Sequence, residues 1–131
     1  MPGFHRFLLV DDVAENRFLI SKALLKTFPD CVVLECQDSS TAVAIIANER
    51  CSAVVVHRSR DLDGHTFIDL VRRCCPEASI VFVSEDSPLP DPERVGATRV
   101  LSWDSWQKVG PLCAEVIAEK EGARSVGVGP V

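Results

Sequence analysis

Short apolar runs, each followed by a longer segment of helical periodicity, constrain the fold of this chain more than any other feature. The runs are FLLV (7–10), CVVLEC (31–36), AVVVH (53–57), SIVFVS (79–84) and the shorter TRVLS (98–102). Strands that are apolar throughout and alternate with helices are typical of a parallel sheet covered on both faces. Right-handed crossovers then predict a three-layer, doubly wound α/β sandwich of five strands.

The segments of helical periodicity are predicted over residues 14–28, 39–50, 64–75 and 105–122. Asp11 or Asp12 is expected to cap the first of them. The apolar face of that first helix is predicted to consist of Phe18, Leu19, Ala23, Leu24 and Phe28.

Prolines interrupt the region where a fourth helix would lie, at positions 88, 90 and 92. Because proline restricts the residue before it to extended conformations, this helix is predicted to be short, starting near Asp91-Pro92, or missing. Gly110-Pro111 is expected to kink the last helix or to delay its start.

Length and charge limit the classes of function. The chain of 131 residues suits one domain, predicted over residues 1–122, with 123–131 as a disordered tail or the start of a linker. A net charge of -5 without a basic patch argues against nucleic acid and anionic membranes as partners. No apolar run approaches the roughly 20 residues that span a bilayer, and no signal peptide is recognisable. A cytoplasmic protein is therefore expected.

The six cysteines form no C-x-x-C pair and match no zinc ligand spacing. Several lie in or beside apolar runs, where a free thiol behaves as a small hydrophobic side chain. Reduced thiols in a reducing compartment are therefore expected. The adjacent Cys74 and Cys75 are predicted to be the most exposed to oxidation.

Polar residues at the strand ends carry the candidate chemistry, since open α/β sheets bind ligands beyond the carboxyl ends of their strands. Asp11 and Asp12 follow the first strand, where no glycine-rich loop could hold phosphate. Their oxygens suit Mg²⁺. Alternatively, one carboxylate caps the helix and the other is solvated.

Several stretches resemble the receiver domain of response regulators (CheY-like) over about residues 6 to 121. They are FLLVDDVAENRFLISKAL (7–24), DLDG (61–64), IVFVSE (80–85) and GATRVLS (96–102). The resemblance implies a flavodoxin-like sheet of order 2-1-3-4-5 and a place in two-component (phosphorelay) signalling.

The chain departs from the receiver pattern at the residues that handle phosphate. The strand-three aspartate that accepts the phosphoryl group is replaced, with His57 (or Val56, in the other alignment) at the acceptor position. The lysine after strand five is replaced by Trp103, and the aromatic switch residue by Val100. Asp11, Asp12 and the strand-four hydroxyl residue Ser84 remain.

These departures predict a degenerate receiver, or pseudo-receiver, that is not phosphorylated on aspartate, because phosphoryl transfer depends on positioning and charge neutralisation. The chain is expected to be a non-enzymatic module that needs no cofactor and acts by protein–protein contact. The resemblance implies a histidine kinase, another signalling protein, or a fused kinase or effector domain as its partner. A homodimer is an alternative.

Four interpretations of His57 stay open at this point. It could be a hydrogen-bonded cation that offsets the negative charges of Asp11 and Asp12. It could help the same aspartates to bind Mg²⁺, Mn²⁺ or Zn²⁺. It, or the loop carboxylate Asp61, could accept a phosphoryl group. Finally, Ser84, His57 and Asp12 could form a hydrolase triad, although no G-x-S-x-G elbow surrounds Ser84.

Trp103 and Trp106 flank the surface through which receivers signal. They could anchor a partner, or they could simply pack, with Trp103 filling the space of the missing lysine.

Overall fold

The computed structural model describes residues 4–127, and side chains as far as residue 123. The strands are β1 (Arg6–Val10), β2 (Val32–Cys36), β3 (Ala53–Val56), β4 (Ile80–Ser84) and β5 (Arg99–Ser102). The helices are α1 (Ala14–Thr27), α2 (Ser39–Asn48), α3 (Gly64–Cys74), α4 (Pro92–Val95) and α5 (Val109–Gly127), with a 3₁₀ helix at Trp103–Lys108. Within the described residues, none of the helices has the length and hydropathy needed to cross a membrane.

The sheet is parallel throughout, with strand order β2-β1-β3-β4-β5. This confirms the predicted doubly wound, flavodoxin-like sandwich. Val10 pairs with Val56, and Val56 pairs with Phe82 on β4. The residues that follow these three strands therefore lie side by side at one edge of the sheet.

Two apolar layers cover the sheet, because alternate residues of each strand point to opposite faces. Leu8, Val54 and Ile80 pack on one face with buried side chains of α2 and α3. Phe7, Val55 and Val81 pack on the other face with buried side chains of α1 and α5. Since β3 and β4 are buried at every position, they read in sequence as continuous apolar runs.

The start and the buried face of α1 differ from the prediction. Its N-cap is Val13, which makes no side-chain capping bond, so neither Asp11 nor Asp12 caps the helix. Its buried residues are Ile20, Ala23 and Leu24, whereas Phe18 is 60% exposed. Positions 18 and 20 lie about 200° apart on a helix with 3.6 residues per turn, so a face centred on Ile20 leaves Phe18 outside.

The last helix begins late, as Gly110-Pro111 predicted. The 3₁₀ helix fills residues 103–108, and α5 starts at Val109. Gly110 lies against α1 so closely that an added Cβ would stand 2.8 Å from the Ala23 carbonyl oxygen. Helix α5 continues to Gly127, five residues into the segment predicted as a tail. The rest of that segment lies outside the described residues.

Helix α4 is a single turn, which confirms the short fourth helix. Asp91 caps it, Pro92 opens it, and Gly96 ends it with φ of 81°, in the left-handed region that favours glycine. The guanidinium of Arg72, at the end of α3, donates to the carbonyls of Gly96 (2.7 Å) and Pro76 (3.0 Å). It also donates to the carbonyl of Ala78. One side chain thus ties α3 to the segments before β4 and β5.

Candidate functional site

His57 and Asp11 form a buried pair at the carboxyl ends of β3 and β1. Nδ1 of His57 lies 2.7 Å from Oδ2 of Asp11, and the two side chains are 2% and 0% exposed. The backbone extends the pairing, because the N–H of His57 donates to the carbonyl of Val10 (3.0 Å). The sheet register therefore fixes this contact.

Both carboxylate oxygens of Asp11 have partners. Oδ1 accepts from the backbone N–H of Val13 at 2.9 Å, and Oδ2 faces the imidazole of His57. The backbone carbonyl of Asp11 accepts from Nη1 of Arg17 at 2.6 Å. Both carboxylate oxygens and the backbone carbonyl of Asp11 therefore have partners within the protein.

A second carboxylate lies on the opposite side of the imidazole. Nε2 of His57 is 3.1 Å from Oε2 of Glu85, the first residue after β4. Nε of Arg58 donates to the same oxygen at 2.9 Å. Hydrogen bonding from Arg58, together with the charges of Arg58 and His57, lowers the pKa of Glu85. The hydrogen bond to Glu85 raises the pKa of Arg58, and the charges of Glu85, Asp11 and Asp12 add to this effect.

The two carboxylate contacts determine which nitrogens of the His57 ring need a hydrogen. An ionised carboxylate only accepts hydrogen bonds, whereas a neutral imidazole has one donor nitrogen and one acceptor nitrogen. Contacts to Asp11 and Glu85 are both satisfied only when each ring nitrogen carries a hydrogen. The ring therefore lies between two carboxylates, one buried on Asp11 and one on the exposed side chain of Glu85.

Trp103 covers the face of this imidazole. The two rings are parallel within 5°, with centroids 4.6 Å apart. Trp106 continues the stack, at 6.3 Å and 27° from Trp103. Both indoles are half-buried and pack against the core between the sheet, α1 and α5. Trp103 therefore covers one face of the ring that lies between Asp11 and Glu85.

Within the described part of the chain, the other strand-tip residues make no hydrogen bond with the side chains of this pair. Asp12 is exposed. Ser84 is buried, and its Oγ accepts from the N–H of Asp86 (3.1 Å). Among the described residues no hydrogen bond joins Ser84 to His57, so the contacts of a hydrolase triad are not formed. Val100 is half-buried and packs against the core on the α2 and α3 side.

The carboxylate of Asp61 is bonded to Ser39, at the start of α2. Its Oδ1 accepts from the N–H of Ser39 (3.0 Å), and its Oδ2 accepts from the Ser39 hydroxyl (2.5 Å). These bonds, at the first turn of α2, lower the pKa of Asp61 to about 2. Its carboxylate therefore stabilises the neighbouring loop.

No cluster of three or more His, Cys, Asp or Glu residues within 4–127 has an arrangement that could hold a metal ion. A cleft of about 500 Å³ opens beside His57, between the first turn of α3 and the segment after β4. Its lining residues are His57, Asp63, Gly64, His65, Thr66, Phe82, Val83, Ser84, Glu85 and Asp86.

All six cysteines are free thiols. Burial raises the pKa of Cys36 and Cys113 to about 12, so these two are unreactive core residues. Cys74 is exposed, whereas its neighbour Cys75 is half-buried, as is Cys51.

The sequence did not identify Glu85 and Arg58 as the second set of partners for His57. Both follow the ends of strands, and β3 and β4 are neighbours in the predicted order. The adjacency of these two strands was the one feature of the sequence from which a contact of Glu85 with His57 and Arg58 could have been predicted. Contact between their long side chains depends on loop conformation, which the apolar pattern does not specify.

Comparisons with known proteins show the fold. No protein-family model matches the chain, and no curated protein matches it. Among solved structures, a putative response regulator from Chloroflexus aurantiacus has a TM-score of 0.78 at 19% identity, over 88% of this chain and 99% of that chain. The signal receiver domain of a putative Luxo repressor protein from Vibrio parahaemolyticus has a TM-score of 0.78 at 13% identity. This match covers 98% of this chain and 100% of that chain.

A third similar structure is the REC domain of AraT, a response regulator from Geobacillus stearothermophilus. Its TM-score is 0.75 at 19% identity, and the match covers 93% of this chain and 99% of that chain. At these identities the similarity establishes the receiver fold, and the site has to be interpreted from its own residues.

Proposed function

We propose that this chain is a receiver-like signalling module that takes no phosphoryl group on aspartate and acts by contact with another protein. One observation carries the proposal. The end of β3 presents His57, which is buried and engaged on both ring nitrogens by Asp11 and Glu85. A side chain held in this way has no free nitrogen with which to attack a phosphodonor.

The charges around His57 support the same conclusion. A phosphoryl group needs cations at its oxygens, supplied by a metal ion or by positioned basic side chains. Here the ring of His57 and the guanidinium of Arg58 both contact carboxylates. We propose that imidazolium takes the place of a metal ion beside Asp11, so that the module needs no divalent cation.

The proposed contact surface comprises β5, the 3₁₀ helix and the indole of Trp106. Trp103 is fixed by its stack on His57, so it holds Trp106 in place on this surface. Large, rigid aromatic side chains at a surface are frequent anchors of protein interfaces. Sedimentation of the native protein and a Trp106→Ser variant over a range of concentrations tests whether a second copy is the partner.

Intact-protein mass after incubation with acetyl phosphate and Mg²⁺ or Mn²⁺ tests the central proposal. We expect the native protein to keep its mass. The matched variant carries His57→Asp and Trp103→Lys, which restore a carboxylate acceptor and a lysine at the positions that the resemblance identifies. That variant is expected to gain a phosphoryl group.

A phosphoryl adduct on the native protein would overturn the proposal. Treatment with alkali then identifies the acceptor, since an acyl phosphate is lost in alkali and a phosphohistidine survives. An alkali-stable adduct that disappears in a His57→Gln variant would assign His57 as a phosphoacceptor.

A further inference from the structure

Strand β2 lies at the edge of the sheet opposite to β5, so one side of its backbone faces away from β1. Successive residues of a strand direct their N–H and C=O groups to alternate sides. The N–H of Val32 donates to the carbonyl of His5 (2.9 Å). The carbonyl of Cys36 accepts from the N–H of Asp11 (3.1 Å). Residues 32, 34 and 36 therefore direct their backbone groups toward β1.

Val33 and Glu35 direct their N–H and C=O groups away from the sheet. Within residues 4–127 these groups have no hydrogen-bond partner. A row of unpaired backbone groups at an edge is a template for another strand, unless lysine, proline, a bulge or a covering segment blocks it. Residues 31–36 contain no lysine or proline, and the pairing with β1 runs without a bulge.

The helices beside β2 lie over the interior of the sheet, since α1 packs on β1 and α5, and α2 packs on β1 and α3. At the edge itself Val32 is 43% exposed, and Val33 and Leu34 are half-buried. The carboxylate of Glu35 accepts from Nε of Arg17 at 3.3 Å, which offsets its charge. The edge is therefore accessible, largely apolar and close to neutral.

The unpaired groups fit a second copy of the same strand. With a two-fold axis at Leu34, Val33 of one copy lies opposite Glu35 of the other in an antiparallel pair. Residues opposite each other at such positions exchange two backbone hydrogen bonds. The half-buried Leu34 side chains of the two copies then meet across the axis, and cross-strand apolar pairs stabilise a sheet.

A shift of the axis by one residue removes this fit. An axis at Val33 places Glu35 opposite Cys31. The N–H of Cys31 already donates to the carbonyl of Phe28 (3.0 Å). An axis at Glu35 places two carboxylates directly opposite each other, which is destabilising. The register centred on Leu34 instead uses groups that are unpaired in the single chain.

We propose that two copies of this chain pair through β2 in antiparallel orientation and join their five-stranded sheets into one. This contact is at the other edge of the sheet from β5 and is separate from the surface around Trp106. A contact made by one five-residue strand of each copy is smaller than a standard interface of roughly 1,600 Å². Association is therefore expected to be weak and to depend on protein concentration.

Sedimentation equilibrium of the native protein over a range of concentrations measures the association, and we expect a monomer–dimer equilibrium. Amide hydrogen exchange followed by NMR locates the contact. The N–H groups of Val33 and Glu35 should become protected as the concentration rises. The N–H of Leu34, which already faces β1, should keep its exchange rate and serves as the internal control.

The test variant is Val33→Pro. Proline lacks the N–H that would donate across the interface, and at an outward-facing position of an edge strand it leaves the pairing with β1 intact. Each dimer then loses two hydrogen bonds, so Kd should rise by at least about tenfold. Trp106→Ser is the matched control, because it alters the other surface and should leave this Kd unchanged.

A native protein that stays monomeric at every concentration would overturn the proposal and would leave this edge to an extended segment of another protein. A dimer in which the amides of Val33 and Glu35 exchange freely would also overturn it, as would a dimer that Trp106→Ser abolishes. Hydrogen exchange in the native protein decides the question even if Val33→Pro fails to fold.

Discussion

At the residue scale, the carboxylate of Asp11 is buried and needs a hydrogen-bond partner, which His57 provides. An isolated charge in the protein interior carries a desolvation cost of several kcal/mol unless a partner compensates it. Asp11 is fully buried, and the side chain that faces its Oδ2 is the ring of His57, which is itself 2% exposed. Trp103 covers one face of that ring. His57 is therefore the buried hydrogen-bond partner of this carboxylate, and we expect its removal to lower the stability of the protein.

We predict that His57→Ala lowers the free energy of unfolding by about 3–5 kcal/mol, because it leaves a buried carboxylate without its counter-charge. Urea denaturation at pH 7 measures this change. An added Asp11→Asn substitution should recover a large part of the loss, since it removes the uncompensated charge. A loss below about 1 kcal/mol for His57→Ala, the range of an exposed ion pair, would contradict the buried charge pair.

The contact between His57 and Asp11 could be predicted from the sequence, and the rest of the site could not. Two apolar runs that end in polar residues identify neighbouring strand tips, and parallel order brings those tips together. The contact to Glu85 and the stack on Trp103 depend on side-chain conformations outside the strands. Apolar periodicity carries no information about these.

At the element scale, local backbone preferences determine the length of the short helix α4, and a long-range contact determines its position. Proline and glycine positions predicted the single turn, because both act through their own backbone geometry. Arg72 then holds that turn in place through the Gly96 carbonyl, a contact 24 residues away in sequence. On α1, Ala23 and Leu24 are buried as predicted, whereas Phe18 was wrongly placed on the buried face because it is apolar. A large apolar side chain at the surface is common.

The contact between α1 and α5 gives a prediction with a matched control. In Gly110→Ala the new Cβ would stand 2.2 Å from Oγ1 of Thr27 and 2.8 Å from the Ala23 carbonyl oxygen. The backbone atom cannot rotate away, so we expect a loss of about 1–3 kcal/mol in unfolding free energy despite the better helix propensity of alanine.

The control for this prediction is Gly122→Ala, on the same helix, where an added Cβ meets nothing within 4 Å. It should stabilise the protein by about 0.5–1 kcal/mol. Thermal or urea unfolding of the two variants gives both values. Equal effects of the two substitutions would show that α5 does not pack on α1 in the way described.

At the scale of the whole molecule, the fold and the site depend on different residues. The sandwich is stabilised by two apolar layers that lie on either side of the sheet. Asp11 and His57, at the carboxyl edge, lie outside those layers, so they affect stability through their contact with each other rather than through apolar packing. This difference explains why the apolar pattern predicted the parallel α/β sandwich, while the strand order came from the family resemblance and the role of the site stayed undetermined.

The same difference predicts how the intact protein responds to a divalent cation. Both oxygens of Asp11 are engaged in the native protein. Addition of Mg²⁺ is therefore expected to leave its thermal midpoint unchanged. His57→Ala frees Oδ2 of Asp11 beside the exposed Asp12, and Mg²⁺ at about ten times its dissociation constant should then stabilise the variant by about 1.4 kcal/mol. Adding Asp12→Asn should abolish that gain. A midpoint of the native protein that rises with Mg²⁺ would show instead that the ion displaces the imidazolium, and that this edge of the sheet still binds metal.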